Sequence, residues 1–424
     1  MSSSDGGRTV LERRVGLTGA VSVGLAAMLG AGVFVAFAPA ARAAGDLLVL
    51  ALLLAVAIAA ANAHSSARLA ARYPESGGAY VYGRERLGMP WGHLAGWAFI
   101  TGKTASCAAM ALTVGVYLFP RAQTWVALAA IWLVLALALV GIQRSAHVAT
   151  AIVALVVATL VVVSITLLLA PPPALEDVPG QAAAPGPLGV LQGAGFLFFA
   201  VAGYARIATL GEEVRDPERT LPRAIFVSLT IVTALYLLLA VALLHGVGSE
   251  WLSARLSPVA EAAEISGLPW LGPVVRVVAG IAAAGALLAL VLGVSRTVLA
   301  MARDHHLPRG LARIDERGVP ATAAITVALA VALLVVLFDV RAVIGFSSFC
   351  ILTYYAIANA SALTLSSGAL GKVVPVLGLL GCLVIAWSLP SRSVAAGVVV
   401  LLVGAVVGWV RHTARQDDDG PEGG

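Results

Sequence analysis

Residues 198–225 read FFAVAGYARIATLGEEVRDPERTLPRAI, and the change of character inside this stretch decides the fold. Its first half is apolar, and Gly203 with Tyr204 interrupts it. Its second half turns polar at once: seven of the twelve residues Glu212–Arg223 carry charge, of both signs, with Pro217 and Pro222 between them. A long apolar run that stops at a charged, proline-punctuated loop marks the edge of a hydrocarbon layer. The loop reads as solvated and ion-paired, with the next helix starting near Pro222.

The rest of the chain repeats that alternation. Of 424 residues, 60% are hydrophobic and 12% charged, where soluble domains carry about 25% charged residues. Mean hydropathy is +0.96. Such a chain cannot cover a water-facing surface with polar groups, which excludes a disordered chain, a nucleic-acid-binding domain and an ordinary soluble enzyme. Twelve apolar segments are each long enough to span the membrane: 17–38, 44–64, 93–119, 124–141, 147–169, 190–210, 223–246, 272–300, 320–338, 341–365, 373–389 and 393–410. With the N-terminus inside, 18 of the 27 Lys and Arg fall in inner segments. Five (Arg42, Arg121, Arg255, Arg341 and Arg392) fall in outer gaps. That asymmetry orients a multi-pass protein with both termini cytoplasmic, in the plasma membrane. No short apolar region ending in a small-residue cleavage site opens the chain, so no cleaved leader is expected.

The segments group. Residues 1–16 form an inner tail, 17–169 a block of five helices, and 170–189 a proline-rich outer linker without a basic residue. A second block of five follows at 190–365, then two further helices at 366–410 and an acidic tail at 411–424, expected to be disordered. Residues 247–271 read as a further outer segment with a short helix near Pro258–Ser266. Cys107, Cys350 and Cys382 are scattered through apolar runs, which gives neither a disulfide framework nor a metal cluster. His305 and His306 are adjacent, so their side chains diverge. All 22 Asp and Glu lie in loops, tails or helix ends. A carboxylate proton relay and paired-Asp proteolysis are therefore not expected, and the chain calls for no metal, cofactor or covalent chemistry.

Two interruptions locate a candidate site. Segment 1 contains LGAGVFVAF, residues 29–37. Glycine costs about 1 kcal/mol in a helix interior, so Gly30 and Gly32 weaken the helix there. If it breaks, the N–H groups after the break and the positive end of the half-helix suit a carboxylate. Close packing of small residues is the alternative reading. In segment 6, Gly203 plays the same part, and carbonyls near Phe199, Ala200 and Ala202 would suit an ammonium group. The plainer reading is a packing glycine beside a buried ring. Segments 1 and 6 each open a five-helix block, and interrupted helices in matching positions point to a transport site between inverted repeats.

GAGVF in segment 1, FFAVAGY…GEEVRDPERTLPRAI around segment 6, and RDHHLPRGLARIDERGVPATA after segment 8 resemble the amino acid–polyamine–organocation superfamily of amino acid permeases, over roughly residues 10–370. The resemblance implies an all-α membrane protein with a LeuT-like fold: inverted 5 + 5 repeats, two extra helices, and discontinuous helices 1 and 6. It implies a substrate carboxylate on the backbone of Gly30, Ala31 and Gly32, its amine on the carbonyls of Phe199, Ala200 and Ala202, and Tyr204 as an aromatic gate.

Lys103 stands alone as a lysine within a span. A charge at the bilayer centre costs at least about 2.5–3.5 kcal/mol, so it should face the protein interior. On a helix it shares a face with Ser106, Cys107 and Met110. It is a candidate proton-exchanging group; the alternative is a snorkelling or carbonyl-capping lysine. Some members of the family carry a lysine in helix 5, but segment 5 has none. A sodium site would want hydroxyls from segment 8, for which Ser295 and Thr297 are candidates; both also suit bonds to carbonyls one turn earlier. The expectation is a secondary transporter of amino acids or related amines, coupled to protons, with sodium symport or amine exchange as alternatives. Its partners are substrate, coupling ion and lipid, not nucleic acid. With no acid in mid-membrane, neutral or small amino acids are favoured. A receptor on the same scaffold is a remote alternative. Oligomeric state is not legible.

Overall fold

In a computed structural model the described residues are 88% helical. The structure describes residues 15–73, 77–140, 146–170, 186–208, 214–315, 318–365 and 368–418. Most of the expected linker, both acids Glu212 and Glu213, the tail before Val15 and Asp419 onward lie outside the described residues. No strand occurs among the described residues; Val15 forms an isolated bridge with Val214.

The elements follow the apolar segments. The first is helical from Leu17 to Ala44 in three pieces: α1 (Leu17–Met28), α2 (Gly32–Val35) and α3 (Phe37–Ala44). Gly45, at φ 56°, turns the chain into α4 (Leu48–Arg72). Then come α5 (Ala79–Leu87), α6 (Met89–Leu118), α7 (Gln123–Leu139) and α8 (Ala146–Leu169). The sixth segment is α9 (Pro187–Val201), a 3-10 turn at Ala202–Tyr204 and α10 (Ala205–Ala208). After it lie α11 (Pro217–Ala254), α12 (Pro258–Ile265), α13 (Leu271–Arg303), α14 (Ala321–Leu337), α15 (Val340–Leu363), α16 (Ala369–Ser388) and α17 (Ser391–Asp418). Eleven helical stretches of at least 18 residues are apolar enough to cross a membrane, and α14 is an apolar helix of 17 residues.

Three boundaries differ from expectation. α11 starts at Pro217, not near Pro222, because Pro217 takes the first helical position, where its missing N–H costs nothing. The helix of the same segment is interrupted at Gly248, φ 74°, before its last turn. α17 continues to Asp418, so the tail after 410 is helical as far as the structure describes it.

Burial follows from the bilayer rather than from amphipathic stripes. α6 and α15 have 78% of their apolar windows inside the protein, whereas α16 has 28% and α17 17%, which places α6 and α15 at the centre and the last two at the edge. α6 packs on α13 and α15, and α4 packs on α9 and α11. α1 packs on α11 and α8, and α3 on α9 and α11.

The end carrying Arg72, Arg303 and Arg411 is tied shut by polar contacts. Tyr80 of α5 donates to Asp304 at 2.5 Å, and Arg84 lies 3.6 Å from the same carboxylate. Burial, with that hydrogen bond, raises the Tyr80 pKa above the ordinary phenol range, so the hydroxyl stays a donor at neutral pH. Arg86 donates to the Thr364 hydroxyl and carbonyl, at 2.7 and 2.5 Å, and Ala79 N–H to the Tyr354 hydroxyl at 2.9 Å. His93 of α6 bonds the Gly404 carbonyl through Nε2 at 2.8 Å and faces His306 Nδ1 to Nδ1 at 3.1 Å. At the opposite end Arg276 pairs with Glu264 at 2.9 Å, and α12 lies where the second outer segment was expected.

Candidate functional site

The first segment breaks where its glycines predict. α1 closes its ladder with Leu29 N–H on the Leu25 carbonyl at 2.8 Å; the chain then turns, and Phe34 N–H reaches Ala31 at 3.0 Å as α2 begins. Among the described residues the N–H groups of Gly30 and Ala31, in the turn between α1 and α2, find no backbone carbonyl, and Gly32 opens α2. All three residues are buried, so these donors are held away from water, at the positive end of the half-helix. The segment bends again at Ala36 before α3.

The sixth segment breaks on the carbonyl side. Ala202 N–H closes α9 on the Phe198 carbonyl. The 3-10 turn Ala202–Tyr204 then replaces the α-helical ladder before α10 begins at Ala205. Ala202 differs from the other expected acceptors: its carbonyl accepts from Ala205 N–H within the 3-10 turn. A 3-10 turn shortens the ladder by one residue, and that shift cannot be read from a glycine's position.

The two breaks touch, and glycines let them. A Cβ on Gly32 would stand 2.6 Å from Ala200 Cα, and one on Gly203 would stand 2.6 Å from the backbone of Ala27 and Met28. A Cβ on Gly30 would meet Ala286 of α13 at 2.6 Å. The packing reading and the broken-helix reading therefore hold together: contact this close needs glycine, and it sets the donors of one helix beside the acceptors of the other.

Two tyrosines missing from the sequence reading secure this crossing. Tyr236 of α11 donates its hydroxyl to the Met28 carbonyl at 2.7 Å and stands 3.4 Å from that of Ala200. Tyr117 of α6 donates to the Phe34 carbonyl at 2.6 Å, its ring edge-on to Phe34. Both are fully buried. Each stands in an apolar run with no charge beside it, so only the fold reveals what the hydroxyl meets.

Other expected residues are placed differently. Tyr204 is fully buried and stacks at 31° on Tyr355 of α15, with centroids 5.4 Å apart, so its ring faces α15. Lys103 sits half-buried near the middle of α6, beside the Cys107 thiol, and makes no hydrogen bond or ion pair among the described residues. Its helical neighbour Ser106 instead bonds Ser347 of α15 at 2.7 Å. Ser295 and Thr297 donate to the carbonyls of Val291 and Gly293, at 2.7 and 3.2 Å. Two positions apart on one helix, they point about 200° away from each other and cannot line one ion site together. No group of three metal-ligating side chains occurs among the described residues.

The family model for amino acid permeases matches residues 19–418. An uncharacterised transporter of Mycobacterium bovis is 54% identical over 97% of this chain and 94% of its own length, and one of Mycobacterium tuberculosis matches equally. A mitochondrial cationic amino acid transporter of Arabidopsis thaliana is 27% identical over 77% of this chain and 58% of its own. A branched-chain amino acid permease of Lactococcus lactis is 27% identical over 54% of this chain and 52% of its own.

Proposed function

The chain belongs to the amino acid permease family, and from that premise we propose that it is a secondary active transporter which takes up amino acids or related amines by alternating access, coupled to protons. The observation that carries the reading is the crossing of the two breaks: the N-terminal end of α2, where the Gly30 and Ala31 N–H groups meet no backbone carbonyl among the described residues, lies beside the C-terminal end of α9 at Ala200. Such a pair of poles matches the carboxylate and ammonium common to all α-amino acids, with no side-chain charge needed. The arrangement we propose is twelve spans, the first ten in LeuT-like inverted repeats, with both termini cytoplasmic in the plasma membrane. The basic end is then the inner face.

Lys103 is the proposed coupling group. A cation without a partner in mid-helix costs several kcal/mol or shifts its proton, which is what coupling requires. The divergence of Ser295 and Thr297 counts against a sodium site built on both. Neutral amino acids remain the favoured substrates, because the crossing offers backbone poles alone. The relatives named for cationic and for branched-chain amino acids make both classes necessary in the test.

Purified protein in liposomes should accumulate a labelled amino acid when the inside is made alkaline, and not when a sodium gradient is imposed. Lys103→Ala should abolish the pH dependence while leaving substrate-induced thermal stabilisation in place. Uptake by Lys103→Ala protein equal to wild type, with the same pH profile, would sink the coupling role.

A further inference from the structure

α17 is the least buried of the described spans, yet two rings of α6 bond it one turn apart. Trp97 Nε1–H donates to the Val400 carbonyl at 2.9 Å, and His93 Nε2–H to the Gly404 carbonyl at 2.8 Å. A Cβ on Gly404 would strike Trp97, and one on Gly408 the His93 ring, so the backbone of α17 lies directly on both. The other ring nitrogen of His93 meets the turn after α13, where its Nδ1 stands 3.1 Å from His306 Nδ1. That turn is shaped to present His306. His305 N–H bonds the Ala302 carbonyl at 3.1 Å, and His306 N–H bonds that of Met301 at 2.8 Å, with His305 in the left-handed region at φ 61°. Glycine is the usual residue there, and a histidine that takes the position turns its neighbour back beneath the helix. The two adjacent histidines diverge: His305 is exposed, whereas His306 is 9% exposed and His93 3%.

The partners fix where the hydrogens are. A carbonyl only accepts, so His93 Nε2 carries a hydrogen, and Nδ1 of a neutral His93 is a lone pair. The 3.1 Å contact then takes its hydrogen from His306 Nδ1. One added proton goes to His306 and leaves that bond in place. A second must go to His93 Nδ1, which sets two N–H groups and two positive charges against each other in a buried space. The titratable and charged neighbours come from three elements. On α5, Tyr80 sets its ring edge-on to His306, with centroids 5.8 Å apart, and Arg84 faces Asp304. On the turn itself, Asp304 accepts from Tyr80, and His305 points outward. On α17, Arg411 donates to the His305 carbonyl at 3.3 Å, and its charge acts on His93. That charge adds to the repulsion.

We propose that His93 and His306 form a proton-operated latch, which seats the turn after α13 on α6 while the pair holds at most one extra proton and releases it when acidity at the basic end adds the second. The latch itself needs nothing from the two breaks; its effect on transport rests on the transport reading. α13 carries that effect, because the helix whose end His306 anchors also abuts the first break, where Ala286 faces Gly30. Release slows transport when the basic end turns acid, so uptake that brings protons to that side limits itself.

Hydrogen exchange of the wild-type protein in liposomes tests the latch without any variant. With intrinsic exchange divided out, residues 298–307 should exchange about tenfold faster at pH ~5.5 than at pH ~7.5, on either side of the ordinary imidazole pKa near 6.5. Exchange in Ala79–Leu87 should not change, because the bond of Tyr80 to Asp304 does not involve the pair. An unchanged rate in 298–307 overturns the latch. His306→Asn tests the cause. An amide turns either its N–H or its carbonyl toward His93 Nδ1, so the contact survives protonation, and exchange should be slow at both pH values. His306→Ala leaves His93 without that partner, and exchange should be fast at both. A step of wild-type size in His306→Asn protein assigns it to another group and overturns the latch. Counterflow of labelled L-alanine, L-leucine and L-arginine, each measured singly with the same pH on both sides, removes any imposed gradient. It should be slower at the lower pH in wild type and equal at both in His306→Asn. Wild-type counterflow that ignores pH, beside a normal exchange step, overturns the effect on transport. An exchange step in protein that moves none of the three amino acids leaves the latch standing and overturns the transport reading instead.

Discussion

Tyr236 has one hydroxyl hydrogen and two carbonyls beside it, Met28 at 2.7 Å and Ala200 at 3.4 Å. Geometry gives the hydrogen to Met28, and under the proposed transport reading the lone pairs of Ala200 are left for a substrate ammonium. Tyr236→Phe removes the donor and keeps the ring, whose edge-on contact with Phe37 is retained. It should cost about 1 kcal/mol of stability, the net worth of a neutral hydrogen bond plus part of an unmet carbonyl. Transport should fall more than stability does, because the Met28 carbonyl then competes with Ala200 for the ammonium. A parallel measurement of melting temperature and uptake KM decides it: unchanged KM beside a lowered melting point would make Tyr236 structural only. Gly32 gives the complementary case. Any Cβ there meets Ala200 Cα, which is backbone and cannot rotate away. Gly32→Ala should therefore separate the two breaks and abolish substrate-induced thermal stabilisation, while Gly310→Ala, with open space around it, should have no effect on either.

At the scale of the element, the breaks were legible because glycine carries its physics with it: Gly30, Gly32 and Gly203 weaken a helix wherever they stand. The boundaries of the spans were legible to within a turn or so for the same kind of reason, since charge stops at the hydrocarbon. Three things were not. The 3-10 turn after α9 engages the Ala202 carbonyl through Ala205 N–H, which no glycine position encodes. The partners of Tyr236, Tyr117 and Asn62 lie 208, 83 and 297 residues away along the chain, and no local pattern encodes contacts of that range. The polar residues of helix interiors also look alike in sequence. Ser295 and Thr297 each satisfy themselves on the preceding turn, whereas Asn359 bonds its own preceding turn and also crosses to another helix. A hydroxyl can reach its own helix's carbonyl, but a terminal amide has both a donor and an acceptor to place and usually needs a second helix.

The whole molecule is tied at its basic end by short-range polar contacts and held elsewhere mainly by apolar packing. These contacts join α5 to the turn after α13 and to the end of α15, so opening that end means parting α5 from both. Asp304 is the shared point, accepting from Tyr80 and facing Arg84, and its side chain is 42% exposed. An exposed ion pair is worth about 1 kcal/mol or less, so its loss should loosen the end without unfolding the bundle. Asp304→Ala should raise hydrogen exchange in Ala79–Leu87 roughly fivefold, as expected when local opening becomes cheaper by about 1 kcal/mol. Exchange in the centre of α6 should not change. Asp304→Asn keeps an acceptor for Tyr80 and removes the charge facing Arg84, so it should fall between alanine and wild type. The raised Tyr80 pKa adds a test with a sign. Its stabilising contribution is full below the ordinary phenol pKa near 10 and is lost as pH rises through the higher folded value. Wild-type protein should therefore show faster exchange in α5 only on the strongly alkaline side, once the intrinsic pH dependence of exchange is divided out. Tyr80→Phe should lack that alkaline step. A step of the same size in Tyr80→Phe protein would assign it to another group and remove Tyr80 from the clasp.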